Sequence, residues 1–377
     1  MKIAALVSGG VDSSVALALL KEAGHDVTAF YLKIWLEDEV KHLGDCAWEE
    51  DLRYVEATCK MLRVPLQVLS MQREYWNTVV QETIAEVRAG RTPNPDIWCN
   101  EKVKFGSFYG KIPDTFQKVA TGHYAQVEEV RHHGEPPPTL RDIEVCPLQT
   151  ERKNFSDFFL KSAPDPVKDQ TYFLSRLTQA QLSRAMFPIG HLPKRDVRKL
   201  AEKFNLPTKH RPDSQGICFL GKFKFSDFLR EHLGEKQGNI IERESGNVLG
   251  MHNGFWFYTL GQRQGLGLSG GPWFVVGKNT EKNEIFVSKN APIHSGTKEF
   301  FIERCNFIPR APKNGEYKIK LRHGKQFIKG YLEKKGEDTA KITLKTADRG
   351  ITPGQSAVLY HNEYCLGGGI IASLCPT

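Results

Sequence analysis

The feature that most constrains this chain is a short polar loop wedged between two apolar segments near its start. Ile3 to Val7 is a continuous apolar run, as in a strand buried on both faces, and it stops at Ser8-Gly9-Gly10-Val11-Asp12-Ser13-Ser14. From Ser13 to Ala23 the apolar positions take helical spacing until Gly24, and Val27 to Lys33 is strand-like again. Strand, helix and strand in so short a span form a βαβ unit, which requires a parallel sheet and a right-handed crossover. The alternation continues with a helix from about Trp48 to Leu62, a strand at Leu66 to Leu69, a helix at Tyr75 to Ala89 and a strand at Lys118 to Thr121. The predicted fold class is α/β, an open doubly wound parallel sheet.

The loop itself has chemistry. Glycines let backbone approach an anion closely, the hydroxyls of Ser8, Ser13 and Ser14 donate hydrogen bonds, and the helix N-terminus adds a positive dipole. It is a phosphate cradle, but it has neither the Lys of a Walker A loop nor the G-x-G-x-x-G spacing of dinucleotide binders. Ordinary helix capping by Asp12 and Ser13 is the plainer alternative.

At 377 residues the chain has room for about two or three domains. Between Val130 and Lys168 the pattern degrades into His132, His133 and Pro136-Pro137-Pro138, which reads as a surface hairpin or insertion, with the histidines solvated rather than metal-binding. Helical stretches follow at Thr171 to Ala185 and Lys194 to Phe204. Beyond Asp213, apolar runs at Phe255 to Tyr258, Trp273 to Val276 and Ile285 to Val287 read as β-hairpins, and alternations at Tyr317 to Leu321 and Ala357 to Tyr360 predict a small β-barrel. The expected division is a catalytic domain over 1–212, a β-rich central domain over 213–290 and a barrel over 291–377.

No run approaches the length of a bilayer span, and the first residues lack a secretory pattern, so a cytoplasmic protein with no membrane partner is expected. The 52 Lys and Arg residues outnumber 44 Asp and Glu, for a formal charge of +8. From Ala291 onward 14 basic and 8 acidic residues concentrate the excess, which makes a polyanion such as nucleic acid a candidate partner of the barrel.

The eight cysteines are scattered without a C-x-x-C pair, against both a disulfide framework and a zinc ribbon. Two stand in unusual loops. Cys99 follows Asn94-Pro95-Asp96-Ile97-Trp98, where Pro93 and Pro95 predict an extended loop and a helix starting near Cys99. A thiol there, with Lys102 and Lys104 nearby, is biased toward thiolate. Cys218 follows Asp213-Ser214-Gln215-Gly216-Ile217, a glycine-containing loop that favours an exposed thiol. Either cysteine taken alone is as well explained by burial.

The run Ser8 to Ser13 resembles the PP-loop of ATP pyrophosphatases, which release AMP and pyrophosphate, and the resemblance implies that Asp12 helps hold Mg²⁺ on the phosphates. Added to it in order, Gly90 to Asn100, Ala120 to Tyr124, Lys168 to Leu174, Asp213 to Phe219, Thr259 to Arg263 and Thr352 to Ala357 resemble the tRNA-specific 2-thiouridylases over nearly the whole chain. Trp98 and Leu32 depart from that pattern, as does the long segment 130–167, expected only to decorate the surface.

The resemblance implies ATP-dependent 2-thiolation of the wobble uridine, in tRNAs accepting glutamate, glutamine or lysine. Ser8, Gly9, Gly10, Val11, Asp12 and Ser13 would bind the phosphates, with Leu6, Val7, Leu32 and Gly122 around the nucleotide. Cys218 would take a persulfide from a cysteine desulfurase or sulfur-relay protein. That sulfur either attacks C2 directly or is released by Cys99, and a disulfide results in both cases; an iron-sulfur cluster on Cys99, Cys218 and a third ligand is a rival. Asp96 is the expected acid/base group, against a plain turn-forming role. Asn94, Pro95, Asp96 and His123 would receive the base, and Lys168, Asp169, Gln170, Arg322, His323 and Gln355 would contact tRNA. An amine-delivering ligase of the PP-loop class or an RNA-binding protein with a vestigial nucleotide site are the other readings.

Overall fold

The computed structural model describes residues 1–34, 47–131, 156–213, 224–290, 298–348 and 351–374. Cys218, the His132-His133 pair and the Pro136–Pro138 run lie outside the described residues.

Strands β1 (Lys2–Leu6), β2 (Asp26–Lys33), β3 (Leu66–Ser70) and β4 (Lys118–Ala120) are followed by a hairpin, β5 (Ala125–Arg131) and β6 (Ser156–Ser162), and by the short β7 (Ala185–Met186). Five of these form a wholly parallel sheet in the order β3-β2-β1-β4-β7. Val11–Glu22 and Ala47–Leu62 are the early crossover helices. The chain builds outward from β1 to β3 and then returns to β4 on the other side of β1. The loops after β1 and β4 therefore diverge and leave a crevice at their carboxyl ends, where open α/β sheets bind ligands.

The hairpin β5–β6 corrects the expectation of surface decoration. Its strand β6 pairs with the last strand of the barrel, Tyr364 opposite Lys161 and Cys365 opposite Leu160, so a segment from early in the chain extends the C-terminal sheet. The barrel closes six strands, β12 (Glu299–Phe307), β13 (Gly315–Lys320), β14 (Ile328–Lys334), β15 (Ala340–Leu344), β16 (Ser356–His361) and β17 (Tyr364–Leu374), the last returning to β12. Closure removes the exposed edges that an open sheet of this size would carry. One apolar cluster runs from Leu6, Phe30, Cys99 and Phe105 to Val358, Tyr360 and Ile370, so the α/β layer and the barrel share a core.

In chain order a separate four-stranded sheet comes before the barrel, β8 (Gly238–Glu242), β9 (Val248–His252), β10 (Phe274–Asn279) and β11 (Glu284–Ser288), ordered β10-β11-β8-β9 around Ile240, Trp273, Val275 and Ile285. Phe255–Phe257, expected as strand, is instead a 3₁₀ turn entered through Gly254 at φ 139°, a backbone conformation that breaks a ladder. The helix expected over Thr171 to Ala185 is two pieces, Thr171–Leu174 and Gln179–Arg184, the second started by a capping box of Thr178 and Gln181.

Candidate active site

The polar loop turns at the crevice between β1 and β4. Gly9 has φ 76°, and a Cβ there would stand 2.6 Å from the Asp51 carbonyl oxygen, so only glycine makes this turn. The helix starts at Val11 with Gly10 as its cap, and no side chain caps it. This corrects the plain capping alternative: Ser13 instead turns back, its Oγ accepting from the Ser8 N–H at 3.2 Å, and Ser14 Oγ donates to the Gly10 carbonyl at 2.9 Å. The helix N-terminus and its dipole are thereby presented to the crevice, the arrangement that suits an anion. Leu6 and Val7 are buried beneath the loop, and Leu32, at the end of β2, is half-buried.

At one side of the crevice, the turn after β4 packs directly on the first turn of the helix Val11–Glu22. A Cβ on Gly122 would lie 2.7 Å from the Ser13 nitrogen, which fixes this position as glycine. Next to it, His123 Nδ1 is 2.7 Å from Thr121 Oγ1, and the ring contacts Phe105 and Phe187 edgewise or tilted. Burial first, and the Lys104 charge second, hold the imidazole well below its ordinary pKa, so His123 is neutral at pH 7.

Sequence reasoning missed the charges that surround Asp12. Lys194 Nζ contacts both Asp12 oxygens, at 2.7 and 2.9 Å, and Tyr124 OH donates to Oδ1 at 2.7 Å. Lys194 also pairs with Asp213 at 2.8 Å, and Asp213 collects Lys168 and Arg198 at 2.5 Å each. Burial alone would raise the Asp213 carboxyl, but the hydrogen bonds and charges of Lys168 and Lys194 prevail and hold it far below the usual range. Arg211 joins the loop from the same side, donating to the Gly9 carbonyl at 2.7 Å and to Asp51 at 2.8 Å. The sequence signal was a basic first turn on the helix Lys194–Lys203, indistinguishable there from a solvated face.

Both Asp12 oxygens accept from Lys194, so the carboxylate, a hard donor beside an anion cradle, would reach a magnesium ion held mainly by phosphate oxygens only with that ammonium shifted. Among the described residues no group of three or more His, Cys, Asp or Glu side chains is arranged to hold a metal by itself, and Cys218, an expected cluster ligand, lies outside them.

The Cys99 loop differs from its expectation. The helix starts at Pro95, not near Cys99, because proline at the first helical position loses no hydrogen bond. Cys99 stands one turn in, buried at 1% exposure, where a wide π-turn runs over Cys99–Lys104. Cys99 therefore does not stand at a helix N-terminus. Lys102 is engaged elsewhere, in an ion pair with Glu82. Pro95 is buried, and Asn94 and Asp96 are half-buried at the helix start.

The expected tRNA contacts divide. Arg322 is exposed at the end of β13, in a fork with Asp348 at 2.9 and 3.1 Å. His323 stacks on Phe173 at 4.8 Å and its Nε2 lies 3.1 Å from the Asp169 carbonyl oxygen. Lys168 is half-buried in its pair with Asp213. Gln170 exchanges two hydrogen bonds with the Tyr124 backbone, its own N–H and its Oε1 each at 2.9 Å. Asp169 departs furthest: at 2% exposure its carboxylate is paired with Lys320, itself 1% exposed, at 2.8 Å, and it accepts from Thr171 Oγ1. It joins the two domains from within, and its side chain has no access to a ligand. Gln355 turns its amide inward, to the Thr92 carbonyl at 2.7 Å.

Comparison with known proteins matches the chain in three stretches. Residues 1–222 match a family model described as a tRNA methyl transferase HUP domain, 226–289 a tRNA methyl transferase PRC-barrel domain and 297–371 an aminomethyltransferase beta-barrel domain. A tRNA-specific 2-thiouridylase of Parabacteroides distasonis is 44% identical over 98% of this chain and 99% of its own length. One from Porphyromonas gingivalis is 41% identical over the same shares of the two chains. A solved structure of NMN synthetase from Francisella tularensis is similar only at a TM-score of 0.31 and 15% identity, over 60% of this chain and 71% of that one.

Proposed function

The chain belongs to the tRNA-specific 2-thiouridylase family, and from that premise we propose that it uses ATP to exchange the C2 oxygen of the wobble uridine of tRNA for sulfur. A uracil C2 carbonyl has no leaving group of its own. Attack of its oxygen on the α-phosphorus of ATP expels pyrophosphate and converts that oxygen into part of an AMP leaving group.

In this reading the backbone of Ser8 to Ser13 and the first turn of its helix bind the pyrophosphate portion, and Lys194, Lys168, Arg198 and Arg211 set the positive potential around it. Leu6, Val7, Leu32 and Gly122 frame the nucleotide. Asp12 would hold a magnesium ion, which would supply further charge neutralisation on the phosphates. Asn94, Pro95 and neutral His123 receive the splayed base, and Asp96 moves protons there. Cys218 brings sulfur as a persulfide received from a desulfurase or relay protein. Transfer of its terminal sulfur to C2 releases AMP, and Cys99 attack on the Cys218 sulfur completes a disulfide that a thiol reductant reopens. Release of sulfide by Cys99 before attack on C2 gives the same products.

The observation that carries the reading is the meeting of two turns at one crevice. Gly122 lies against Ser13, while its neighbour His123 packs on Phe105, which closes the helical run bearing Cys99. A phosphate cradle and a thiol loop so joined serve a reaction that activates and then sulfurates one base. The test is a reconstituted reaction with unmodified glutamate, glutamine or lysine tRNA, ATP, Mg²⁺ and a persulfide donor, with nucleosides read by mass spectrometry. Thiolated wobble uridine and AMP, both tRNA-dependent, with thiolation lost in Cys99→Ser and Cys218→Ser, are expected. AMP formation without thiolation, indifferent to both cysteines, would move the chain to the amine-ligase branch.

A further inference from the structure

A π-turn is a rare conformation, met mostly as a single turn at functional sites, and Cys99–Lys104 is tied down by side chains from outside it. Arg176 forks onto the Glu101 carboxylate, Nε to Oε2 at 2.8 Å and Nη2 to Oε1 at 3.2 Å, and its Nη1 donates to the Arg304 carbonyl in β12 at 2.7 Å. Gln181 Nε2 donates to the Glu101 carbonyl at 2.7 Å, and Asn100 Nδ2 to the Phe173 carbonyl at 3.1 Å. The side chains of Arg176 and Glu101 are only 17% and 19% exposed, where a charged fork is stronger than on an open surface.

The barrel meets this arginine at an irregular point. Between Glu303 and Asn306, β12 takes one residue more than its partner β17, and Arg304 stands in that bulge at φ 49°, a conformation a side-chain-bearing residue keeps only where its surroundings impose it. The Arg304 carbonyl faces Arg176, while its guanidinium pairs with Glu82 at 2.8 Å and Glu86 at 3.0 Å on the helix Gln81–Arg88. Asn306 Nδ2 donates to the Ser175 and Leu177 carbonyls, on either side of Arg176, at 3.1 and 3.3 Å. One bulge thus grips the helix that leads into the 90–98 segment and, through Arg176, the turn that follows it.

We propose that Arg176 is a positioning residue: braced by the barrel bulge at Arg304, it holds Glu101 so that the Cys99 thiol at the head of the same turn is in line for sulfur transfer. The inference rests on the thiolation reading for the role of Cys99. Small displacements of a reacting group are costly, up to about 10²-fold for roughly 1 Å. Adenylation of the base, which releases pyrophosphate, takes no part from Cys99. A displaced thiol therefore separates the two steps: the adenylate still forms, and water, adding at C2 in place of sulfur, expels AMP and restores uridine.

The test is Arg176→Met, with Glu101→Gln as the milder change that serves if the first fails to fold by circular dichroism. Arg176→Lys keeps the charge without the fork, and Arg184→Met, which removes a half-buried arginine bound to the Phe116 carbonyl, is the control. Thiouridine formed per pyrophosphate released and the KM for tRNA are measured for each. The expected ratio is lower by about 10-fold or more in Arg176→Met and by less in Arg176→Lys and Glu101→Gln, with pyrophosphate release kept within about threefold, KM within about twofold and the ratio of Arg184→Met unchanged. In the free protein, alkylation of Cys99 by N-ethylmaleimide, read on its peptide by mass spectrometry, is expected to accelerate in Arg176→Met while that of buried Cys59 does not. A ratio equal to wild type, whether both products fall or neither does, would overturn the proposal. Wild-type protein that makes no thiouridine would count against the function instead; acceleration confined to Cys99 would then uphold the brace, and unchanged alkylation would dismiss it.

Discussion

Lys194 and Asp12 stand on two different helices, yet the lysine ammonium contacts both carboxylate oxygens of the aspartate, at 2.7 and 2.9 Å, in the mouth of the phosphate cradle. A cation so placed keeps the acidic side chain of the loop from repelling an incoming triphosphate, and it is itself near enough to meet one. Lys194→Met is expected to lower tRNA-dependent AMP formation by at least about tenfold and to cost about 1–3 kcal/mol of stability in urea. The Asp12→Asn/Lys194→Met double variant should lose less stability than the sum of the single changes. Full AMP formation in Lys194→Met would remove the lysine from the nucleotide site.

Gly122→Ala drives a methyl group into the Ser13 backbone, which neither the sheet nor the helix can yield without parting. Nucleotide binding, followed by calorimetry, should fall below detection or weaken by about 10-fold or more, with about 1–3 kcal/mol of destabilisation. Affinity equal to wild type would mean that the two turns are not one site.

Asp169→Ala leaves Lys320 as an uncompensated buried charge and should destabilise the fold by about 3–5 kcal/mol. Denaturant midpoints check this, and Asp169→Asn/Lys320→Met should recover much of the loss. A variant of unchanged stability whose tRNA affinity alone declines would restore Asp169 as a tRNA contact.

Lys278, on the central sheet, reaches the Gly90 carbonyl at 3.3 Å, and burial lowers its pKa to about 8. An unfolded lysine titrates near ~10.4, so between about pH 8 and that value the unfolded chain binds more protons than the folded one. Stability from this group must therefore rise with pH across that window, and the penalty for burying the ammonium is complete below it. The slope of unfolding free energy against pH between about 8 and 10 should be more positive in wild type than in Lys278→Met. Equal slopes would show that Lys278 titrates as an exposed lysine.

Arg322→Ala should weaken tRNA binding without altering kcat at saturation and should reduce the slope of log affinity against log salt by about 1. Filter binding at several salt concentrations reads this directly. An unchanged slope would mean that Arg322 meets no phosphate.

The parallel sheet, its phosphate-binding loop and the barrel were legible in the chain because each is written in local periodicity or in a glycine whose backbone no other residue can adopt. Gly9, at φ 76°, belongs to that class, whereas Gly122 is required by its tertiary contact with Ser13, and the crevice they frame follows from strand order. The start of the Cys99 helix was misjudged although Pro95 marks it, since a proline reads equally as loop or as a first helical residue. What only tertiary structure decided are the partnerships of long side chains across the sequence. Lys194 and Asp12 are separated by 182 positions, Gln355 and Thr92 by 263, and Asp169 and Lys320 by 151. A lysine, a glutamine and an aspartate look the same in sequence whether they face water, a ligand or one another. Which they face is set by the packing of strands and helices that brings their backbones within reach, and only then do burial and charge fix what each can do.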